Sequence, residues 1–418
     1  MPEKTNPPIP ELIELELTSI AYGGAAVGRL DGVVAFVDGG LPGELVVARV
    51  YLRKPQFIKA RVIEVRRASP LRIAAPCPYF GDCGGCQWQH LQYAEQAALK
   101  RQTVVEQLQR LGGFPEPPVL PTLAAVEPWQ YRNNARFSTR KREGTLGFTR
   151  GGSHFVLPID HCLIAQPRIN DVLRELQGRG RGLHQVVVRY GARTGQLLVN
   201  PRFEGVSFET GQQSYEEELL GQRYRVAAPS FFQVNTRPQI QDIAPGGPHF
   251  PKGLVGDFSQ AELLALLVLE RLAPQGDEHV VDAYCGVGTF ALLLAKRAAR
   301  VVGIEEAPSA IRDAQAMSAD LSNVEFIQGK TEAVLPELEG RVDAVVLDPA
   351  RVGCHPDVIA ALLSLRPARL VYVSCDPSTL ARDLALLRDG GYHLEEVIPV
   401  DMFPQTFHIE TVSTLRLE

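Results

Sequence analysis

Beyond about Pro229, short apolar runs alternate with stretches of helical periodicity, and nothing else in the chain of 418 residues narrows its fold as far. The runs Val280-Val281, Val301-Val-Gly-Ile, Val324-Glu-Phe-Ile, Ala344-Val-Val-Leu and Leu370-Val-Tyr-Val are too short for helices and apolar enough for strands buried on both faces. Between them lie helical patterns over 261–272, 290–298 and 309–321. The rhythm predicts a Rossmann-like α/β domain, an open and mostly parallel sheet covered on both faces. Ligands of such sheets bind outside the carboxyl ends of the strands. The segment 243–258, rich in Pro and Gly, reads as a loop inserted before the first long helix.

Four motifs fall at or near strand ends. Asp282-Ala-Tyr284-Cys-Gly286-Val-Gly288-Thr289-Phe290 is a Gly-rich turn between strand and helix, where a backbone without Cβ atoms lets a ligand come close. Glu305 closes the next strand, about 20 residues on, where an acid commonly holds a ribose diol. A ligand without a pyrophosphate suits this short loop better than a dinucleotide does. Leu347-Asp348-Pro-Ala-Arg351 puts a carboxylate at the end of another strand, and Val373-Ser-Cys375-Asp-Pro377 puts a thiol at the end of the next. A helix N-terminus beside Cys375 is expected to lower its pKa towards the reactive thiolate. In Phe407-His-Ile-Glu410-Thr411 the carboxyl group lies among apolar residues, where desolvation raises its pKa and suits it to proton transfer. A thiol, a base and a nucleoside crevice in one place suit covalent chemistry on a nucleic-acid base drawn out of its stack.

The first third of the chain has another character. Short apolar runs between Gly turns from Leu12 to Val65 predict a small closed β-barrel of the oligonucleotide-binding type. The formal net charge is −5, yet 49–67 holds seven basic residues against Glu64 alone, and 132–150 six against Glu143 alone. That local sign asymmetry points to an anionic partner. Cys77-x5-Cys83-x2-Cys86, with the distant Cys162, fits a tetrahedral sulfur cage for zinc or an iron–sulfur cluster. Cys285 and Cys354 are read as packing residues. A helix is expected over 91–111, stopped by Gly112-Gly113, and the mixed segment after it as β-rich. Neither a membrane span nor a secretory leader is expected, so the expectation is a cytoplasmic monomer.

Taken with Phe231-Phe-Gln233-Val-Asn235, these motifs make the chain resemble, over nearly its whole length, the bacterial RNA uracil-5-methyltransferase family in its iron–sulfur type. The Pro-rich segment 1–10 reads as disordered, and the resemblance implies a TRAM-like, OB-like β-barrel over 11–68. It implies a β-rich central domain with a metal cluster over 69–90 and 113–228, and a methyltransferase domain over 91–112 and 229–418. It implies methylation of uridine C5 by S-adenosylmethionine, with 23S ribosomal RNA favoured as partner. Transfer RNA, or a non-catalytic RNA-binding role, stands as the alternative. Cys375 would be the nucleophile and Glu410 the proton acceptor. Gln233, Tyr284, Thr289, Glu305 and Asp348 would contact the methyl donor. Cys77, Cys83, Cys86 and Cys162 would hold a [4Fe–4S] cluster.

Overall fold

The structure is a computed structural model that describes residues 11–418; the segment 1–10, expected to be disordered, lies outside the described residues. The chain divides into two compact units. One comprises residues up to Leu99 with Gln405–Phe407, the other Lys100–Pro404 with His408–Glu418.

In the first unit, β1 (Leu12–Ile20), β2 (Ala26–Leu30), β3 (Val33–Asp38), β4 (Leu45–Arg53) and β5 (Phe57–Arg67) close into a barrel in the order β1-β2-β3-β5-β4. Strand alternation explains its core. Ile13, Leu15 and Leu17 of β1 point inward to meet Ala35, Val37, Val46, Ala48, Ile58 and Ala60. Burying each such branched side chain contributes about 1.5–3 kcal/mol. The basic residues Arg49, Arg53, Lys59 and Arg61 stay exposed on the outer surface.

Helix α1 (Tyr93–Arg110) follows, close to the expected 91–111. A five-stranded sheet comes next: β6 (Asn134–Arg140), β7 (Thr145–Thr149), β8 (Val156–Pro158), β9 (Gln185–Tyr190) and β10 (Leu197–Asn200) in the order β10-β9-β6-β7-β8. Helix α2 (Pro167–Leu176) packs on it with Ile169, Val172, Leu173 and Leu176 buried. Two hairpins precede the long helix: β11 (Ser214–Leu219) with β12 (Gln222–Ala227), and β13 (Gln239–Ile243) with β14 (Leu254–Phe258). The second corrects the expected loop over 243–258. Only 244–253 turns; the flanks pair, with Gln239 and Gln241 facing inward, where Gln239 Oε1 accepts from Glu127 N at 2.9 Å. Polar side chains on the buried face hid the strand from a hydrophobic pattern.

The seven-stranded sheet comprises β15 (His279–Ala283), β16 (Arg300–Glu305), β17 (Val324–Gln328), β18 (Ala344–Leu347), β19 (Arg369–Ser374), β20 (Tyr392–Val400) and β21 (Glu410–Leu417), in the order β17-β16-β15-β18-β19-β21-β20. Six strands run in one direction, and β21, antiparallel to both its neighbours, runs against them. Helices α3 (Gln260–Leu272), α4 (Thr289–Leu294) and α5 (Pro308–Met317) cover one face, against Val280, Val346 and Val371. On the other, α7 (Pro356–Leu365), α8 (Pro377–Asp389) and the part of α1 carrying Val104 and Leu108 cover Val281, Val345 and Leu370; the short α6 (Thr331–Val334) lies near α7. Successive valines therefore serve opposite cores. From β15 the chain goes outward through β16 and β17, then crosses back to β18. That reversal opens a crevice at the carboxyl ends of β15 and β18. Among the described residues no helix is long and apolar enough to cross a membrane.

Candidate active site

A cavity of about 850 Å³ fills this crevice, and its walls include Gln233, Tyr284, Thr289, Glu305, Asp348, Cys375 and Glu410. Strand ends deliver most of them. Tyr284 follows β15, Asp348 follows β18, and Cys375 follows β19. Glu410 instead opens the antiparallel β21. The register Ser374↔Thr411 sets the next residue of one strand, Cys375, against the preceding residue of the other, Glu410. Thr411 Oγ1 donates to Ser374 O at 3.1 Å and locks the alignment.

The Gly-rich turn is shaped for close approach. Gly286 and Gly288 have φ of +57° and +81°, and a Cβ on Gly288 would meet the Phe326 ring at 2.8 Å. The Glu305 carboxylate spans the turn, Oε2 accepting from Gly286 N at 3.0 Å and Oε1 from Ala307 N at 2.7 Å. Asp282 Oδ2 accepts from Ala291 N at 2.8 Å, while its buried Oδ1 has no hydrogen-bond partner among the described residues. Beyond the sheet, the segment bearing Gln233 is tied down at Ser230, whose carbonyl accepts from buried Arg189 at 2.7 Å. Phe231 lines the cavity while remaining 67% exposed.

Three carboxyl groups at the site are perturbed by burial and by one another. Burial, then the neighbouring Asp348, pushes the Glu410 carboxyl well above the usual carboxylate range, with Arg351 opposing. Burial pushes Asp348 up to about 7. Asp282 is raised as well, by burial and then by Asp348 and Glu305. The Cys375 thiol is pushed up to about 12, by burial first and the Glu410 charge second. This corrects the expectation that a helix N-terminus lowers it. The first N–H groups of α8 are already taken, because Asp376 Oδ1 accepts from Ser378 N at 2.9 Å and Thr379 N at 3.3 Å. The cap's own negative charge also raises the thiol.

Arg351 is the residue whose importance the sequence reading missed. It lines the same cavity and is the cation that lowers both Cys375 and Glu410. Its Nη2 donates to His408 Nδ1 at 3.1 Å. Burial, and then Arg351 itself, depresses His408 to about 4, which keeps that ring neutral and accepting. The signal was present in Leu347-Asp-Pro-Ala-Arg351, as the one cation in a strand-end motif.

The cysteine set divides. Cys77, Cys83 and Cys86 lie half-buried on consecutive turns of the first unit, and Cys162 belongs to the second. Gly85 N donates to Cys83 Sγ at 3.4 Å, and Cys77 N to Gln89 Oε1 at 3.3 Å. Cys162 is bracketed by Asn170, whose Oδ1 accepts from Cys162 N at 2.8 Å and whose Nδ2 donates to Cys162 O at 3.0 Å. Among the described residues, no three His, Cys, Asp or Glu side chains are gathered as a metal-ion group. Cys285 and Cys354 are buried.

A Gly-rich turn after the first strand, an acid ending the second and a crevice at the sheet reversal define a methyltransferase domain. The profile of the tRNA (uracil-5-)-methyltransferase family matches residues 265–417. An uncharacterized RNA methyltransferase of Halalkalibacterium halodurans is 36% identical, over 98% of this chain and 97% of that protein. One of Gloeobacter violaceus is 38% identical, over 97% and 96%. The crystal structure of Pyrococcus abyssi tRNA (uracil-54, C5)-methyltransferase in complex with S-adenosyl-L-homocysteine superposes with a TM-score of 0.69 at 25% identity, covering 96% of this chain and all of that one. This chain belongs to the RNA uracil-5-methyltransferase family.

Proposed function

We propose that the protein methylates C5 of uridine in RNA, with S-adenosylmethionine as donor, through a covalent link between Cys375 and the pyrimidine. The observation that carries this reading is the register of β19 and β21, which opposes Cys375 to Glu410 at the wall of an acid-lined cavity. The cavity fits the donor on its own terms. A glycine turn leaves room for a nucleoside, and Glu305 sits where a ribose is held. When bound, S-adenosylmethionine supplies an electrophilic methyl group on a positively charged sulfur. Gln233, Tyr284, Thr289, Glu305 and Asp348 would hold it.

The chain's own residues do the rest. C5 of uracil is a weak nucleophile. Cys375 Sγ forms a bond to C6, and the electron pair of the C5–C6 double bond moves towards the O4 carbonyl as an enolate. C5 then becomes the nucleophilic carbon. Once C5 carries its methyl group, Glu410 accepts the C5 proton. The C5–C6 double bond returns and the C6–S bond breaks, releasing the thiolate. Arg351 offsets the negative charge that Cys375 must carry in its reactive form.

The cluster reading rests on the donor set. Three thiols within ten positions, wrapped by Gly84-Gly85 and with an N–H already donated to Cys83 Sγ, fit thiolate ligation. With Cys162 they would hold a [4Fe–4S] cluster of structural role. Anaerobically purified protein is expected to be brown, with about four iron and four sulfide per chain. Colourless protein carrying one zinc would overturn it.

A TRAM-like barrel together with the cysteine set favours ribosomal RNA as substrate. The Pyrococcus abyssi enzyme, named for a tRNA uridine and matched over nearly this whole chain, favours a second reading, transfer RNA. Mapping 5-methyluridine in both RNAs from cells with and without the gene decides the matter. Loss from 23S ribosomal RNA supports the first reading and loss from tRNA the second. Unchanged 5-methyluridine in both, with 5-methylcytidine lost instead, would overturn uracil itself.

A further inference from the structure

Four backbone groups of the loop that follows Arg351 are held by one face of α8. Thr379 Oγ1 donates to Arg351 O at 3.1 Å. Arg382 Nη2 donates to Val352 O at 3.0 Å and to Cys354 O at 3.2 Å. Asp383 Oδ2 accepts from Cys354 N at 2.8 Å. Residues 379, 382 and 383 are spaced three and four apart, so they form a single stripe along the helix. Asp383 is fully buried and anchors the set. Its Oδ2 also accepts from Tyr372 Oη at 2.7 Å and its Oδ1 from Arg382 Nε at 2.8 Å. The loop comes so close that a Cβ on Gly353, where φ is +75°, would lie 2.6 Å from both Arg382 Nη2 and Asp383 Oδ2. The same helix is capped by Asp376, the residue after Cys375. One rigid element thus carries the thiol at its start and, one to two turns later, the grip on the loop bearing Arg351.

We propose that Asp383 is a positioning residue that, through the 351–354 loop, holds the Arg351 guanidinium against Cys375 and Glu410. It touches neither substrate nor the reacting atoms. Its effect reaches the chemistry through the Arg351 guanidinium, which counters the carboxylates around the thiol. A carboxylate suits the place because it faces three donors, the Cys354 N–H, the Tyr372 hydroxyl and the Arg382 guanidinium, and an amide would turn one of its two acceptors into a further donor. The inference rests on the reading of Cys375 as nucleophile and goes beyond it.

The test follows Cys375 itself. Alkylation of that residue by iodoacetamide in the intact protein, read by peptide mass spectrometry at fixed pH, reports its thiolate fraction. Asp383→Asn is expected to slow alkylation by roughly threefold to tenfold, to displace the pH profile upward and to lower kcat with little change in KM for the donor. Arg351→Gln should produce the same displacement, and the double variant no more than either alone. Thr379→Val, which removes the hydroxyl that bonds Arg351 O and Asp376 O and leaves Asp383 in place, should move the profile in the same direction by less. It decides the question should Asp383→Asn fail to fold. An unchanged profile in Asp383→Asn, or in Thr379→Val if that variant alone folds, would overturn the proposal, as would additive displacements in the double variant. Because alkylation reads the thiol whether or not methyl transfer occurs, an active Cys375→Ala protein would remove the nucleophile assignment separately.

Discussion

Cys375→Ala protein is expected to lose methyl transfer by at least about 10⁴-fold, while binding RNA as the parent does. The size follows from the chemistry. Without addition at C6 there is no enolate, and the methyl acceptor remains an unactivated alkene carbon. The substitution itself is mild, since Cys375 lies at the cavity wall and loses one atom, a change worth within about 1 kcal/mol of stability. Single-turnover methylation with labelled donor, beside filter binding of the same RNA, separates the two effects. Residual turnover within tenfold of the parent would remove the thiol from the mechanism.

Glu410→Gln should fail at the opposite end of the reaction. Addition and methylation can proceed, but without a base the C5 proton stays, and the RNA remains attached through Cys375. Methylated RNA that migrates with denatured protein is the expected signature, with release slowed on the order of 10²–10⁴-fold. The amide should fold well, because burial at Glu410 already favours the neutral carboxyl group. The same burial fixes the sign of the pH response in the parent enzyme. A base with a raised pKa is ionised only as pH climbs, and the thiol, pushed up to about 12, gains thiolate in the same direction. Activity of the parent should therefore rise with pH across the neutral range and fall on acidification. Unhindered turnover by Glu410→Gln with no attached RNA would assign the proton to another group.

Much of the seven-stranded sheet was legible because fully buried parallel strands announce themselves as unbroken apolar runs, and because turns at their carboxyl ends carry the polar residues. Asp348 and Cys375 could be found from such runs alone. Glu410 was found by its apolar neighbours, but its pairing with Cys375 required the register of β21, which no local pattern contains. The thiol's raised pKa was missed for a different reason. A helix N-terminus lowers a pKa only when its N–H groups are free to act on the thiol, and Asp376 had claimed them. Helix α2 was overlooked although Ile169, Val172, Leu173 and Leu176 follow helical spacing, since the surrounding Arg and Gly residues dilute the signal. The β13–β14 hairpin was hidden by inward-facing glutamines, and the grip of α8 on the 351–354 loop is tertiary throughout.

The reversed direction of β21 has a consequence for how change can enter this site. In a purely parallel sheet only strand exits reach the cleft, so every reacting group hangs from a loop that can drift by degrees. Here one group stands on a strand entrance, stitched between two ladders. A single-residue insertion or deletion just upstream would not shift it slightly. It would present Ile409 or Thr411 to the sulfur instead, an alkyl group or an alcohol where an acid belongs. The opposition of this acid to the thiol is thus an all-or-none inheritance, kept whole with the hydrogen-bond ladder or lost in one step.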